Sequence, residues 1–445
     1  LLGVDRAVSY GVFSRAWGVI AGPITMVIIA GGFSKEQQGF YYTISSLLAL
    51  QIFFELGLMT VIAQFASHEF ARLNWRGQGE IEGDPIALSR FIDLLCKSVK
   101  WFGVASLLLV IGLIPTGLVF FDQGHHQDFA WRIPWILAVL GTAMNLFVTP
   151  FYAVIMGSGD VVTVNHRQMI GNIIGTCVSW LVMGLHGGLY AVFAVNAGNI
   201  IISWSYLIRY KPALLRLVWA GIIRSPERED GKGLVSWWGE VWPMQWKIAL
   251  SWVSGYFVFQ LFNPVLFHYH GSAVAGQMGM SLSAANALLG VCITWVNAKN
   301  PEFCRLVVKR DWEGLEKTFF RILLQSTTVV TIGAVVGWSA IALIQMTHPL
   351  GERFLPAGQM ALLLASVVIQ NIIYGFATYL RAHKQEPLLA VSIVAALLQG
   401  TATWFLGSRY SSLGATGGYI FVSLFFSLPA TYFVWRRFNS AYHTN

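Results

Sequence analysis

The chain has 445 residues, of which 56% are hydrophobic and 11% charged, with a formal net charge of +8. Ordinary soluble domains are roughly 45–50% apolar and about 25% charged, and a single soluble core stops growing near roughly 250–300 residues, so a soluble fold of this length is excluded for want of surface charge. What remains is a helical integral membrane protein, because apolar runs of about 20 residues, enough to cross roughly 30 Å of hydrocarbon, recur along the chain.

In chain order the apolar runs predict spans at 8–31, 39–65, 98–121, 133–156, 168–185, 188–209, 243–267, 272–297, 320–346, 356–380, 386–407 and 413–435. No run combines a charged leading flank, a short apolar core and a small-residue cleavage site, so no secretory signal is expected among them. The one long interruption, 210–242, mixes Leu, Val, Ile and Trp with Lys and Arg, the composition of short amphipathic helices in a headgroup layer. The expectation is an all-α polytopic membrane protein of about twelve transmembrane helices in two six-helix lobes. An N-lobe over 1–209 and a C-lobe over 243–445 would be joined by a cytoplasmic amphipathic linker over 210–242. An echo between FSRAW around Arg15 and MQWKIA around Lys247 agrees with a six-span repeat, an arrangement common in transporters.

Positive residues collect in short cytoplasmic loops. With both termini placed in the cytoplasm and each inner loop given the residues within about five positions of its span ends, Lys247 among them, 24 of the 29 Lys and Arg fall on inner segments, four on outer ones (Lys35, Arg132, Arg353 and Arg409) and one, Arg15, inside span one. A drawing displaced by one helix would scramble that partition. The net charge then reflects topology and anionic headgroups, so membrane lipids are expected partners and nucleic acid is not. Cys96, Cys177, Cys292 and Cys304 form no CxxC pair, and no GxxxxGK[ST] or strand-bound GxGxxG occurs. A structural disulfide, a metal site, a bound cofactor and an ATP-driven pump are therefore not expected.

Inside hydrocarbon an ionisable side chain costs about 2.5–3.5 kcal/mol on insertion scales and faces a partner or a wet cavity. Arg15, Glu55 and Lys247 sit well within the drawn spans, toward their inner side. Two readings stay open. One is a buried salt bridge joining Arg15 to Glu55, with Lys247 snorkelling to the headgroups. The other is a cationic cavity for an anionic substrate, with Glu55 as charge partner or proton carrier. Uncharged polar residues recur at helical spacing as Asn196, Asn199 and Ser203 in span six, Ser251 and Ser254 in span seven, and Gln370, Tyr374 and Thr378 in span ten. A single stripe can simply bond a neighbouring helix, at roughly 1 kcal/mol per contact. Stripes in both halves fit a hydrated central cavity, with Ser251, Gln370 and Tyr374 as candidate substrate contacts. Pro23 and Pro264 each remove a backbone donor and are expected to kink or hinge spans one and seven. Trp17, Tyr256 and Tyr374 are candidate stacking surfaces for sugar rings.

Residues 38–66, QGFYYTISSLLALQIFFELGLMTVIAQFA, followed by SHEF, resemble the second span of polysaccharide flippases. These are bacterial O-antigen and lipopolysaccharide export proteins of the multidrug/oligosaccharidyl-lipid/polysaccharide superfamily, and the six-plus-six layout agrees along the whole chain. The resemblance implies a two-lobed transporter of the bacterial inner membrane that moves an undecaprenyl-pyrophosphate-linked oligosaccharide from the inner to the outer leaflet by alternating access. It implies that basic residues of spans one and seven, here Arg15 and Lys247, line the cavity. It leaves open passive transport or coupling to H+ or Na+, and contacts with a polysaccharide polymerase or glycosyltransferases. The two further spans of peptidoglycan-precursor flippases are missing from the drawing, which counts against lipid II as cargo.

A multidrug or toxin antiporter shares the span count, but such proteins place acids in the outer half of a lobe, whereas Glu55 lies on the inner side. A membrane polymerase or glycosyltransferase of lipid-linked sugars needs catalytic groups and a substantial outer loop. The drawn outer loops are short and carry no carboxylate pair and no His or Cys constellation, so no enzyme is expected.

Overall fold

The computed structural model describes residues 6–122, 129–223, 235–383 and 385–443. Its helices are α1 (Arg6–Gly32), α2 (Lys35–Leu48), α3 (Ile52–Glu55), α4 (Leu58–Phe70), α5 (Pro85–Asp122), α6 (Arg132–Gly157), α7 (Val161–Gly184), α8 (Tyr190–Tyr210), α9 (Pro212–Ile223), α10 (Trp242–Phe259), α11 (Phe262–His270), α12 (Ser272–Lys309), α13 (Trp312–Thr347), α14 (Ala357–Ala382), α15 (Leu389–Val422) and α16 (Leu428–His443). A short antiparallel hairpin, β1 (Leu73–Arg76) with β2 (Glu80–Gly83), pairs Leu73 with Gly83 and Arg76 with Glu80.

Each drawn span falls on helix. Among the described residues eight helical runs are long and apolar enough to cross a bilayer, and the bent pair α10–α11 makes a ninth. The run from Leu389 contains two drawn spans, separated at Tyr410 and Ser411, where the backbone leaves helical angles. The described part of α1 and the whole of α7 fall outside that apolar set. In α7 the reason is chemical: its first turns carry Asn165, His166, Arg167, Gln168 and Asn172. The helix of span five therefore begins at Val161, about two turns before the drawn start at 168, and Arg167 lies within it.

Helix ends follow local chemistry. Asp84 Oδ1 accepts the Ile86 N–H at 3.1 Å, and Pro85 takes the first helical position of α5, where no donor is required. At α13, Asp311 Oδ1 accepts the Gly314 N–H at 2.9 Å. Interior breaks are closed by side chains. The second drawn span turns left-handed at Leu56 and Gly57 (φ 52° and 68°), Thr60 N–H goes to Gly57, and Gln245 Nε2 donates to the freed Leu56 carbonyl. A break at Ser411 (φ 57°) frees the Gly407 carbonyl, which accepts from His270 Nε2 at 2.8 Å. Pro264 offers no N–H to Gln260, and the chain bends by 41° just there, between α10 and α11. α1 stays helical through Pro23.

The contacts divide the chain into two units, one of Leu1–Ser14 with Leu47–Val253 and one of Arg15–Ser46 with Ser254–Asn445. In the first, α7 and α8 meet backbone to backbone. A Cβ on Gly198 would stand 2.3 Å from the Gly175 nitrogen, and one on Gly175 would stand 2.3 Å from the Val195 carbonyl oxygen. Such small-residue contacts bring helices together where lipid gives no hydrophobic drive. At one end of this unit Arg90 bonds Glu69 and Glu240, both at 2.7 Å, while the buried Asp93 accepts from Lys97 at 2.8 Å and from the Val235 N–H at 2.7 Å. Residues 235–241 are thereby tied to α5.

In the second unit α2 lies directly on α12, since a Cβ on Gly39 would stand 1.9 Å from the Ser272 carbonyl oxygen. The buried Gln38 donates to the Gly276 carbonyl at 2.8 Å and the Arg353 carbonyl at 3.0 Å, and Arg353 Nη2 donates to the Phe33 carbonyl at 2.6 Å. Lys35 pairs with Glu352 beside them. The core of this unit has one cluster around Phe262, Leu266 and Met278 and another around Phe319, Tyr379 and Trp435.

Gly198→Val should force α7 from α8 and lower stability by about 1–3 kcal/mol. Thermal unfolding followed by tryptophan fluorescence measures this, with Gly112→Val, where a Cβ meets nothing within 4 Å, as the neutral control. The Ser236 N–H, and after it Arg90, holds the Glu240 carboxyl below its ordinary value of 4.5. A depressed carboxyl stabilises the fold above the ordinary value and ceases to do so as pH falls through the folded one. The stability difference between wild type and Glu240→Gln should thus be present at pH 6 and shrink progressively as the pH is taken below 4.5, read from melting temperatures across that range.

Candidate functional site: an amide-lined cavity

Within the first unit α6, α7 and α8 enclose, together with Gln51 and Met59, a cavity of about 300 Å³. α6 contributes Asn145, Val148, Thr149 and Tyr152, α7 contributes Gln168 and Asn172, and α8 contributes Asn196, Asn199 and Ser203. The spacings are three or four residues on each helix, so each set shares one face. The glycine contacts between α7 and α8 hold Asn172 and Asn199 in register, and Asn199 Nδ2 donates to Asn172 Oδ1 at 3.0 Å. On the other wall Asn145 Nδ2 donates to Asn196 Oδ1 at 3.2 Å, and Asn196 Nδ2 to Thr142 Oγ1 at 3.2 Å.

These bonds fix the amides while leaving part of their capacity unused, since each carboxamide has two donor hydrogens and two acceptor lone pairs. Among the described residues the lining carries amides, hydroxyls, one phenol and the apolar Met59 and Val148, and no carboxylate, Lys or Arg. Such a wall can donate and accept hydrogen bonds together. Met59 also borders a second cavity of about 390 Å³, lined by Ala63, Met156, Gly157 and Val161 with Thr60, Gln64, Ser67 and His68.

The residues singled out from sequence are distributed differently. Arg15 lies on α1 and Lys247 on α10, and both side chains lie outside the described residues. Glu55 ends α3 at the left-handed break, and among the described residues it forms no ion pair or hydrogen bond. Ser251 is half-buried on α10 in the first unit. Gln370 and Tyr374 share one face of α14 in the second unit, where Gln370 Nε2 reaches Ser423 Oγ at 3.4 Å and Tyr374 Oη donates to Asn297 Oδ1 at 2.8 Å. The span-six stripe, Asn196, Asn199 and Ser203, lines the cavity as a group. Gln51, Asn145, Thr149, Tyr152, Gln168 and Asn172 were not anticipated. Their signal was present in the sequence as i, i+4, i+7 and i, i+4 polar spacing in spans four and five.

No protein-family model and no curated protein matches the chain. Solved structures do. The inward-facing conformation of a multidrug resistance MATE family transporter of the MOP superfamily superimposes with a TM-score of 0.58 at 14% identity, covering 96% of this chain and 99% of that one. The lipid II flippase MurJ, in an inward closed conformation, gives 0.64 at 13% identity, over 96% of this chain and 86% of MurJ. A MOP superfamily transporter from Pyrococcus furiosus, described by a binding pocket of reverse polarity, gives 0.54 at 14% identity, over 99% and 97%. The chain is thus a multi-pass, all-α membrane protein with the fold of the MOP superfamily transporters.

If the cavity is filled with water, a charged maleimide should label Asn172→Cys in detergent-solubilised protein on a cysteine-free background. Ser179→Cys, one turn and three residues further along α7 and 2% exposed, should remain unlabelled. Equal labelling at both positions, measured by mass spectrometry, would contradict the cavity as described.

Proposed function

We propose that the protein is a flippase that carries an undecaprenyl-pyrophosphate-linked oligosaccharide, such as an O-antigen or related surface-glycan unit, from the inner to the outer leaflet of a bacterial inner membrane. The observation that carries this reading is the neutral amide and hydroxyl wall of the cavity. Sugars present hydroxyls that donate and accept, and a wall without fixed charge receives them without the desolvation that an ion would require. The adjoining cavity, with Met59, Ala63, Met156 and Val161, offers apolar surface to the lipid-proximal part of an amphiphile. The fold shared with MurJ and MATE transporters supports a carrier over an enzyme.

In this reading residues 1–209 and 243–445 are two lobes that alternate in access, bridged by 210–242, with both termini cytoplasmic. Arg15 and Lys247 supply positive charge on the inner side, Ser251, Gln370 and Tyr374 add polar contacts, and Glu55 is a charge partner or proton carrier. Contacts with a polysaccharide polymerase or glycosyltransferases would place the carrier between synthesis and assembly of the glycan.

A second reading, a cation-coupled multidrug antiporter, draws on Glu55, a carboxyl without a described partner at a helix break, where a proton or cation could exchange. One reconstitution separates the two. Proteoliposomes loaded with a fluorescent polyprenyl-pyrophosphate oligosaccharide should expose it to a membrane-impermeant quencher, and Asn196→Leu with Asn199→Leu should slow that exposure about tenfold, the effect of losing two modest hydrogen bonds. Transport of a cationic dye against a proton gradient, with the glycan left in its original leaflet, would overturn the flippase reading in favour of the antiporter.

A further inference from the structure

Arg167 is the one charged side chain in the first turns of α7, next in sequence to Gln168 of the cavity wall. Its guanidinium lies over two rings of α8, 5.2 Å from the centroid of Tyr206 and 5.4 Å from that of Tyr210. The rings stack on one another at 5.8 Å, and Tyr206 is buried at 4% exposure. Tyr206 in turn meets Tyr152 of the cavity wall edge to face at 6.5 Å. An aromatic row thus runs from the cavity to the cation.

Arg167 differs from several other arginines of the chain in what answers its charge. Arg72, Arg76, Arg90, Arg132 and Arg381 each pair with a carboxylate. Arg167 pairs with none among the described residues, and its Nε is buried without a hydrogen-bond partner. Asp160, the acid of this corner, acts on Tyr206 and Lys211 and forms no ion pair with Arg167. The ring faces attract the cation but accept no directed hydrogen bond from its planar fork. The arrangement holds a guanidinium in place and leaves its donors for something else. A second cation, Lys211, follows Tyr210 and sits 3.4 Å over the Trp75 ring, whose Nε1 donates to Ser158 at 2.9 Å.

We infer that Arg167, seated on Tyr206 and Tyr210 and linked through Tyr206 to Tyr152 of the cavity wall, is an anion-binding residue that receives the phosphate or pyrophosphate ester of the cargo. This rests on the flippase reading and deepens it: the glycan occupies the amide wall while its anionic linkage meets Arg167. A guanidinium can bond two phosphate oxygens at once, which an ammonium cannot, so charge alone should not replace it. Tyr206 is a positioning residue, since removing its ring frees the guanidinium without touching the anion.

The test is binding of geranylgeranyl pyrophosphate to the whole protein in phosphatidylcholine nanodiscs, with inorganic pyrophosphate as competitor. Arg167→Gln should weaken binding about tenfold or more, Arg167→Lys by less, and Tyr206→Leu by about threefold, while Arg132→Gln leaves it unchanged. Melting temperatures select the variants that remain folded, and Arg167→Lys keeps the comparison available should Arg167→Gln not fold. Unchanged affinity in both Arg167 variants, with wild type binding, overturns the inference and leaves the flippase reading standing. Absence of wild-type binding overturns the flippase reading itself. If nanodiscs with phosphatidylglycerol abolish the difference between wild type and Arg167→Gln, the residue serves lipid headgroups and the inference is likewise overturned; a difference that persists there supports it.

Discussion

Every backbone N–H and C=O that lies in hydrocarbon has to be bonded within the protein, and this requirement governs the architecture. Helix satisfies it automatically, which is why nearly all described residues are helical. The informative places are the interruptions. Leu56 leaves its carbonyl free by turning left-handed, and Gln245 from α10 covers it. Gly407 loses its donor when Ser411 turns, and His270 supplies another. Each break is therefore a contact between distant parts of the sequence, made by a side chain that matches one carbonyl.

The same economy shapes the polar residues. Amides on α6, α7 and α8 bond one another in pairs, which keeps them in place without exhausting them. Several charged pairs lie toward the ends of helices, where Arg90 bridges two acids and Lys35 meets Glu352, while Glu55 at the break in the second drawn span is an exception. Arg167 is held by rings, those of Tyr206 and Tyr210, rather than by an acid among the described residues.

Much of the fold was legible in the sequence because hydropathy and helix length report directly on the bilayer. All the drawn spans fall on helix, and the bend before Pro264 follows from its missing donor. The start of α7 was misplaced because its polar first turns, with Asn165, His166 and Arg167, resemble a loop when only hydropathy is read. The cavity was legible in part. Asn196, Asn199 and Ser203 formed a visible stripe, but Asn145, Thr149, Gln168 and Asn172 are few among apolar neighbours on their own helices and gain meaning only when three helices converge. The left-handed Leu56 was not legible, since leucine carries no preference for that conformation and only the neighbouring Gly57 hinted at it.

The glycine joints have a further consequence for how such a sequence can drift. At Gly39, Gly175 and Gly198 a single added carbon would overlap backbone atoms of a neighbouring helix. Exposed apolar positions such as Val27, Leu107 and Val335 have no such packing constraint on their side chains. Substitutions should therefore accumulate on the outside of the helices until little overall identity survives, while the sparse small-residue positions are held by steric exclusion. A chain built this way outlives its recognisable sequence, and its relatives are to be sought by the spacing of these few glycines along the helices rather than by the composition of the helices themselves.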